Sequence, residues 1–125
     1  MYLIDTHILL WLLSEPEKLS ATATKILQED DSLYVSMASL WEIAIKQSNG
    51  KLDLPFSPEE LYSICIERDI HAKQILPSHL NKFKELPKIH NDPFDRLIIC
   101  QSISENIPIL TKDSKIPLYP VKTVW

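Results

Sequence analysis

Short apolar runs that stop abruptly at a charged or turn-forming residue recur along this chain, and longer stretches with apolar residues on one face separate them. Met1-Tyr2-Leu3-Ile4 ends at Asp5, Leu33-Tyr34-Val35 ends at Ser36, and Ile107-Pro108-Ile109-Leu110-Thr111 ends just before Asp113. These runs read as strands, the first buried on both faces. Ala72 to Leu76 and Val121 to Val124 read as two more. Between them the spacing predicts helices over Ile8 to Leu13, ended by Ser14-Glu15-Pro16, and over Ala21 to Gln28, capped by Ser20. A third helix is expected over roughly Ala38 to Gln47, stopped near Asn49-Gly50. Pro58-Glu59-Glu60 opens a fourth, whose Leu61, Ile64 and Cys65 share a face. Pro77-Ser78 opens a fifth that runs through Leu86, and Phe94 to Glu105 is the sixth. Leu52 to Pro58 and Pro87 to Pro93 read as loops, and Glu29-Asp30-Asp31 as a solvated turn. Strands separated by helices predict an α/β fold, a mainly parallel central sheet with helices on both sides.

Composition sets the limits. With 125 residues, of which 45% are hydrophobic and 24% charged, the chain can bury one core, so residues 1–125 are expected to form a single domain. No internal repeat, linker or low-complexity stretch divides it. Met1 opens directly on a strand, without a basic segment, apolar stretch and cleavage site, which argues against export. No apolar run approaches the roughly eighteen residues that would span a bilayer, so a soluble cytoplasmic protein without a membrane partner is expected. Cys65 and Cys100 lack a C-x-x-C spacing and fall in apolar helical patterns, as buried free thiols do.

Absent motifs narrow the chemistry further. Gly50 is the only glycine, which excludes the G-x-G-x-x-G dinucleotide turn, the P-loop and the G-x-S-x-G nucleophile elbow. His7, His71, His79 and His90 show no H-E-x-x-H or Cys/His spacing, so a zinc site is not expected. The net charge of −4 runs against the basic footprint of most nucleic-acid binders. A site built of carboxylates is acidic locally, however, and a divalent cation bridges such a site to phosphate.

Four acids stand out because each lies where a strand ends or a helix begins: Asp5, Glu42, Asp95 and Asp113. In open α/β sheets ligands bind at the carboxyl edge of the strands, where loops converge and helix N-termini point inward. Hard oxygen donors suit Mg²⁺ or Mn²⁺. One such ion, or two about 3.5 to 4 Å apart, would activate water for in-line cleavage of a phosphodiester without a protein nucleophile. Each acid also has a plainer explanation. Asp5 could simply end a strand. Ser39-Leu40-Trp41-Glu42 reads as a capping box. Asp92 and Asp95 compete for the start of one helix, with Asp92 assigned to the cap and Asp95 to the metal. Asp113 could anchor the turn Lys112-Asp113-Ser114. Two basic residues are candidates beside the acids: His7, to orient Asp5 or reach substrate or else as a structural histidine, and Arg96, to contact phosphate or pair with an acid. The stripe Trp11, Leu12 and Leu13 reads as core or dimer interface rather than as a platform for RNA bases.

Four segments in order carry a family resemblance. Residues 1–13, with Asp5-Thr6-His7-Ile8-Leu9-Leu10-Trp11, resemble the start of PIN-domain ribonucleases of the VapC toxin type, in a subgroup opening D-T-H-x-L-L-W. Ser36-Met37-Ala38-Ser39-Leu40-Trp41-Glu42-Ile43-Ala44-Ile45-Lys46, followed by Gly50-Lys51-Leu52, is similar to the second acidic motif. Asp92-Pro93-Phe94-Asp95-Arg96-Leu97-Ile98 is similar to the third, and Leu110-Thr111-Lys112-Asp113 to the fourth. The resemblance implies a PIN fold and Mg²⁺- or Mn²⁺-dependent cleavage of RNA. It also implies a homodimer and inhibition by a small antitoxin protein. Asp5, Glu42, Asp95 and Asp113 would be the acidic set, with Thr6 and Thr111 as hydroxyl neighbours. Two other readings stand beside it: a Mg²⁺-binding phosphoacceptor receiver domain, and a PIN domain that binds RNA or protein without cutting.

Overall fold

In the computed structural model, which describes residues 1–125, the opening run forms strand β1 (Tyr2–Ile4). Its Leu3 and Ile4 are fully buried, facing opposite sides of the sheet. Helix α1 (Thr6–Ser14) follows directly, and a 3-10 turn over Pro16–Lys18 leads to α2 (Ala21–Glu29), where the Ser20 hydroxyl accepts the Ala23 N–H at 3.0 Å. Strand β2 (Leu33–Ser36) runs into α3 (Met37–Ser48), and a loop leads to α4 (Pro58–Glu67), opened by a reciprocal Ser57/Glu60 capping box. Gly50 sits at φ +71° just past α3, a conformation that L side chains adopt at a cost. Strand β3 (Ile70–Lys73), α5 (Pro77–Glu85), α6 (Pro93–Glu105), β4 (Ile109–Leu110), a 3-10 turn over Ile116–Leu118 and β5 (Thr123–Val124) complete the chain.

All five strands are parallel, in the order β3-β2-β1-β4-β5. The chain builds outward from β1 through β2 to β3, then crosses to β4 on the other side of β1. That reversal opens a crevice at the carboxyl ends of β1 and β4. Helices α1 to α4 cover one face around Ile4, Ile8, Leu33, Val35, Ile43, Leu61 and Leu110. Helix α6, with Phe83 of α5 and Tyr119, covers the other face around Leu3, Ile98, Ile99 and Ile109. Cys65 of α4 lies in the first layer and Cys100 of α6 in the second, both as free thiols. No helix is long and apolar enough to cross a membrane.

Several boundaries differ from the sequence expectation. Strand β3 occupies Ile70–Lys73, not Ala72 to Leu76. Asp69 takes a left-handed turn at φ 56° that starts the strand early, while Leu76 is 48% exposed and its N–H is capped by His79 Nδ1 at 3.0 Å. Strand β4 is two residues long because the Ile107 N–H still closes the end of α6 on the Ser102 carbonyl. Pro108 contributes its carbonyl, which accepts the Leu3 N–H at 2.9 Å.

Candidate active site

Strand β1 delivers Asp5 to the crevice, 3% exposed, as the N-cap of α1. One carboxylate oxygen accepts the Ile8 N–H at 2.9 Å and the other accepts the Thr111 hydroxyl from the end of β4. Burial holds this carboxyl above the usual carboxylate range, against the Thr111 and Ile8 hydrogen bonds and the charge of His7. Thr111 Oγ1 also accepts the Asp113 N–H at 3.0 Å, so one hydroxyl ties two of the acids together. Thr6 is buried, and its hydroxyl donates to Ser39 Oγ at 2.9 Å, fixing α1 against α3.

Glu42 is not part of a capping box. Helix α3 begins at Met37 with Ser36 as its cap, which puts Ser39 inside the helix. Glu42 is therefore free to turn into the protein, where it is 3% exposed. Its Oε2 accepts Lys46 Nζ at 2.9 Å, one helical turn on, while Oε1 is buried without a hydrogen-bond partner.

The two acids at the start of α6 divide their roles. Asp92 Oδ1 caps the helix by accepting the Phe94 and Asp95 N–H groups at 2.8 and 3.2 Å. Asp95, its side chain 13% exposed, points into the crevice. Its carboxyl is pushed up to about 8, first by burial and then by the negative charges of Asp92, Asp5, Glu42 and Asp113. The acids scattered along the chain thus act on one point. Asp113 is different: its Oδ1 accepts the Lys115 and Ile116 N–H groups at 2.7 and 3.0 Å. Burial raises its carboxyl, but those two N–H groups and His90 outweigh it and hold the group below its ordinary value.

His90 is the residue that sequence reasoning missed. Its Nε2 lies 3.1 Å from Asp95 Oδ2 and 3.1 Å from Asp113 Oδ2. The Asp92 N–H donates to Nδ1 at 3.1 Å, which assigns the ring proton to Nε2, facing the two acids. Ligand atoms of His90, Asp95 and Asp113 all lie within 4.8 Å of one another. The only signal in the chain is its place two residues before Asp92, in a loop without any metal-binding spacing.

Arg96 does not contact an acid of the site, nor is it exposed to a phosphate. It is 7% exposed, and its guanidinium donates to the carbonyls of Leu86, Pro87 and His90 and to the Tyr119 hydroxyl. Tyr119 Oη in turn accepts the Ile89 and His90 N–H groups. Together they pin the loop that carries His90. His7 is exposed and packs against Trp11, 6.1 Å between ring centres.

The donor set fits a hard divalent cation. Glu42 Oε1 is buried with no donor, the Asp95 carboxyl is pushed up to about 8 by burial and then by its acidic neighbours, and the other site acids offer only oxygen. A positive charge placed among them relieves both conditions.

Comparison with known proteins identifies the family of this fold. The PIN domain family matches residues 2–122, and the chain belongs to that family. It is 29% identical over 128 residues to Ribonuclease VapC22 of Mycobacterium tuberculosis, covering 98% of this chain and 97% of that protein. Among solved structures, VapBC2 from Rickettsia felis bound to a DNA fragment from its promoter superposes with a TM-score of 0.70 at 17% identity, over 98% of this chain and 96% of that one. A toxin-antitoxin complex from Klebsiella pneumoniae gives 0.68 at 15% identity, over 100% and 97%. FitAB bound to the IR36 DNA fragment gives 0.67 at 14%, over 99% and 94%.

Proposed function

We propose that this PIN domain is a Mg²⁺- or Mn²⁺-dependent endoribonuclease and the toxin of a toxin-antitoxin pair. The observation that carries the reading is the crevice itself. The charges of Asp5, Glu42 and Asp113 all reach Asp95, whose carboxyl is raised to about 8, first by burial, and Glu42 keeps a buried oxygen with no donor. Family membership sets aside the receiver domain, and the PIN-fold relatives named as a ribonuclease and as toxin complexes support the activity.

The four acids would hold one or two ions. When bound, such an ion supplies an activated water and stabilises charge on the phosphate being cleaved. The chain's own groups prepare the setting. Thr111 and the Ile8 N–H fix Asp5, His90 spans Asp95 and Asp113, and Lys46 leaves one Glu42 oxygen open. Hydrolysis with that chemistry would join the water's hydroxyl to phosphorus and its proton to the departing ribose oxygen, so no side chain would have to form a covalent intermediate.

Partners follow from the same reading. The proposed antitoxin would meet the open groove between α3 and α4, where Leu40, Trp41, Phe56 and Tyr62 lie beside Glu59 and Glu67. Such a groove suits a segment that is both apolar and basic. A homodimer and a cytoplasmic setting belong to the proposal too, the latter supported by two thiols left unpaired.

The test is cleavage of a mixed, structured RNA pool with Mg²⁺ or Mn²⁺, against EDTA and a folded Asp5→Asn protein. Loss of metal-dependent cuts in Asp5→Asn, on the order of a thousandfold, is expected. No cleavage by a protein shown to bind the metal would make it a non-catalytic binder.

A further inference from the structure

Next to the acidic site, where β4 and β5 end side by side, a different chemistry gathers. Helix α1 and the C-terminus bring three rings and a cation together beside Asp5. The exposed His7 packs on Trp11, one turn along α1, and Trp11 stands edge-on to Trp125 with ring centres 5.9 Å apart. Lys112 Nζ lies 6.0 Å from the centre of the Trp11 ring and 5.9 Å from that of Trp125. In sequence Lys112 stands between Thr111, which bonds Asp5, and Asp113, so the ring cluster begins where the acidic site ends.

Packing accounts for only part of this cluster. Both indoles are half-buried and rest on the core layer of α1 to α4. Lys112 and His7 stay exposed on their outer edges. None of the ion pairs involves Lys112, although a carboxylate is its next neighbour in the chain. In a chain of net charge −4, an unpaired cation over two indoles at the mouth of an acidic site is suited to a polyanion with flat apolar faces. Single-stranded nucleic acid has that chemistry, because its unpaired bases stack on rings while its phosphates meet cations. Bases locked in a duplex have no free face to offer.

We infer that His7, Trp11, Lys112 and Trp125 form the subsite that grips single-stranded RNA beside the phosphate to be cleaved. Lys112 and His7 take a flanking phosphate, and the exposed part of the Trp125–Trp11 pair stacks a flanking base. To the core packing expected of Trp11 from the sequence this adds a contact to RNA that the sequence argued against. The inference rests on the nuclease reading and names where its substrate lies.

The experiment uses the full chain carrying Asp5→Asn, so that bound RNA is not cut, with Mg²⁺ and a labelled single-stranded oligoribonucleotide of about twelve nucleotides. Adding Trp125→Leu is expected to weaken binding about five- to a hundredfold and to reduce the quenching of tryptophan fluorescence by RNA. Adding Lys112→Gln is expected to weaken binding several-fold and to lower the slope of log affinity against log salt by about 0.7. A duplex of the same length is expected to bind weakly and alike in all three proteins. Unchanged affinity, salt slope and quenching in both folded variants would overturn the subsite and leave the indoles as packing alone. Lys112 is exposed, so Lys112→Gln decides the matter even if Trp125→Leu fails to fold. Wild-type cleavage with unaltered binding by the variants sinks only the subsite; wild-type protein that neither binds nor cuts RNA sinks the nuclease reading with it.

Discussion

Asp5 and Asp95 are both buried and both have carboxyls raised by that burial, yet the protein treats them in opposite ways. Asp5 is the more deeply buried, and each of its oxygens receives a permanent donor, Ile8 N–H or the Thr111 hydroxyl. Asp95 has His90 on one oxygen and four negative neighbours around it, while nearby Glu42 keeps one oxygen with no donor at all. Buried polar groups are ordinarily satisfied because leaving one unmade costs about 1–3 kcal/mol. The Asp5 side is complete as folded. On the function proposed above, a bound cation would complete the Glu42–Asp95 side.

Removing the charge at Asp95 breaks this contrast most severely. Asp95→Asn is expected to abolish the gain in melting temperature that Mn²⁺ gives the wild type. It is also expected to make the metal-free protein more stable than wild type at high pH. The sign follows from proton binding: unfolded, Asp95 loses its proton near 3.8, whereas folded it keeps it up to about 8. Between those values the folded state binds the extra proton, so stability falls as pH rises. Denaturant midpoints in EDTA at several pH values between 4 and 9 should therefore show a decline in wild type that is shallower in Asp95→Asn; parallel curves would refute it. Next in size is His90. Its replacement by Ala should weaken Mn²⁺ binding about ten- to a hundredfold, as loss of a group that orients ligands does. Gln, whose amide can donate near the position of Nε2, should recover part of the loss in calorimetry, an effect that a purely structural role would not give. The smallest change is expected on the satisfied side, where Thr111→Val removes one donor from Asp5 and costs about 1–3 kcal/mol in urea unfolding, and Thr111→Ser restores it.

How much of this was visible beforehand depended on whether a signal was local. Asp5 closing an apolar run and Asp92 capping a helix are both written in adjacent residues, as is the parallel α/β pattern. Glu42 was ambiguous because Ser39-x-x-Glu42 spells a capping box; only the start of α3 one turn earlier, at Ser36, frees the glutamate. Arg96 looked like a site cation from its place beside Asp95, but on a helix adjacent residues face different ways, and its side chain lies among the carbonyls of the loop before α6. His90 was invisible for the complementary reason: one of its two partners, Asp113, lies 23 residues away, and its spacing to the other, Asp95, matches no metal-binding motif. Strand β3 was misplaced because Ile75 and Leu76 extend an apolar pattern past the last paired residue, Lys73.

The two thiols have a practical consequence for watching this protein move. Burial raises both, with Cys100 pushed up to about 11, so neither presents a reactive thiolate while its layer is closed. Cys65 belongs to the layer of α1 to α4 and Cys100 to the layer of α5 and α6. A thiol reagent added to the native protein therefore acts as a pair of clocks, one for each side of the sheet. If the two cysteines are modified at the same rate, the molecule opens as a single unit; if Cys65 leads, the layer carrying the α3–α4 groove breathes on its own.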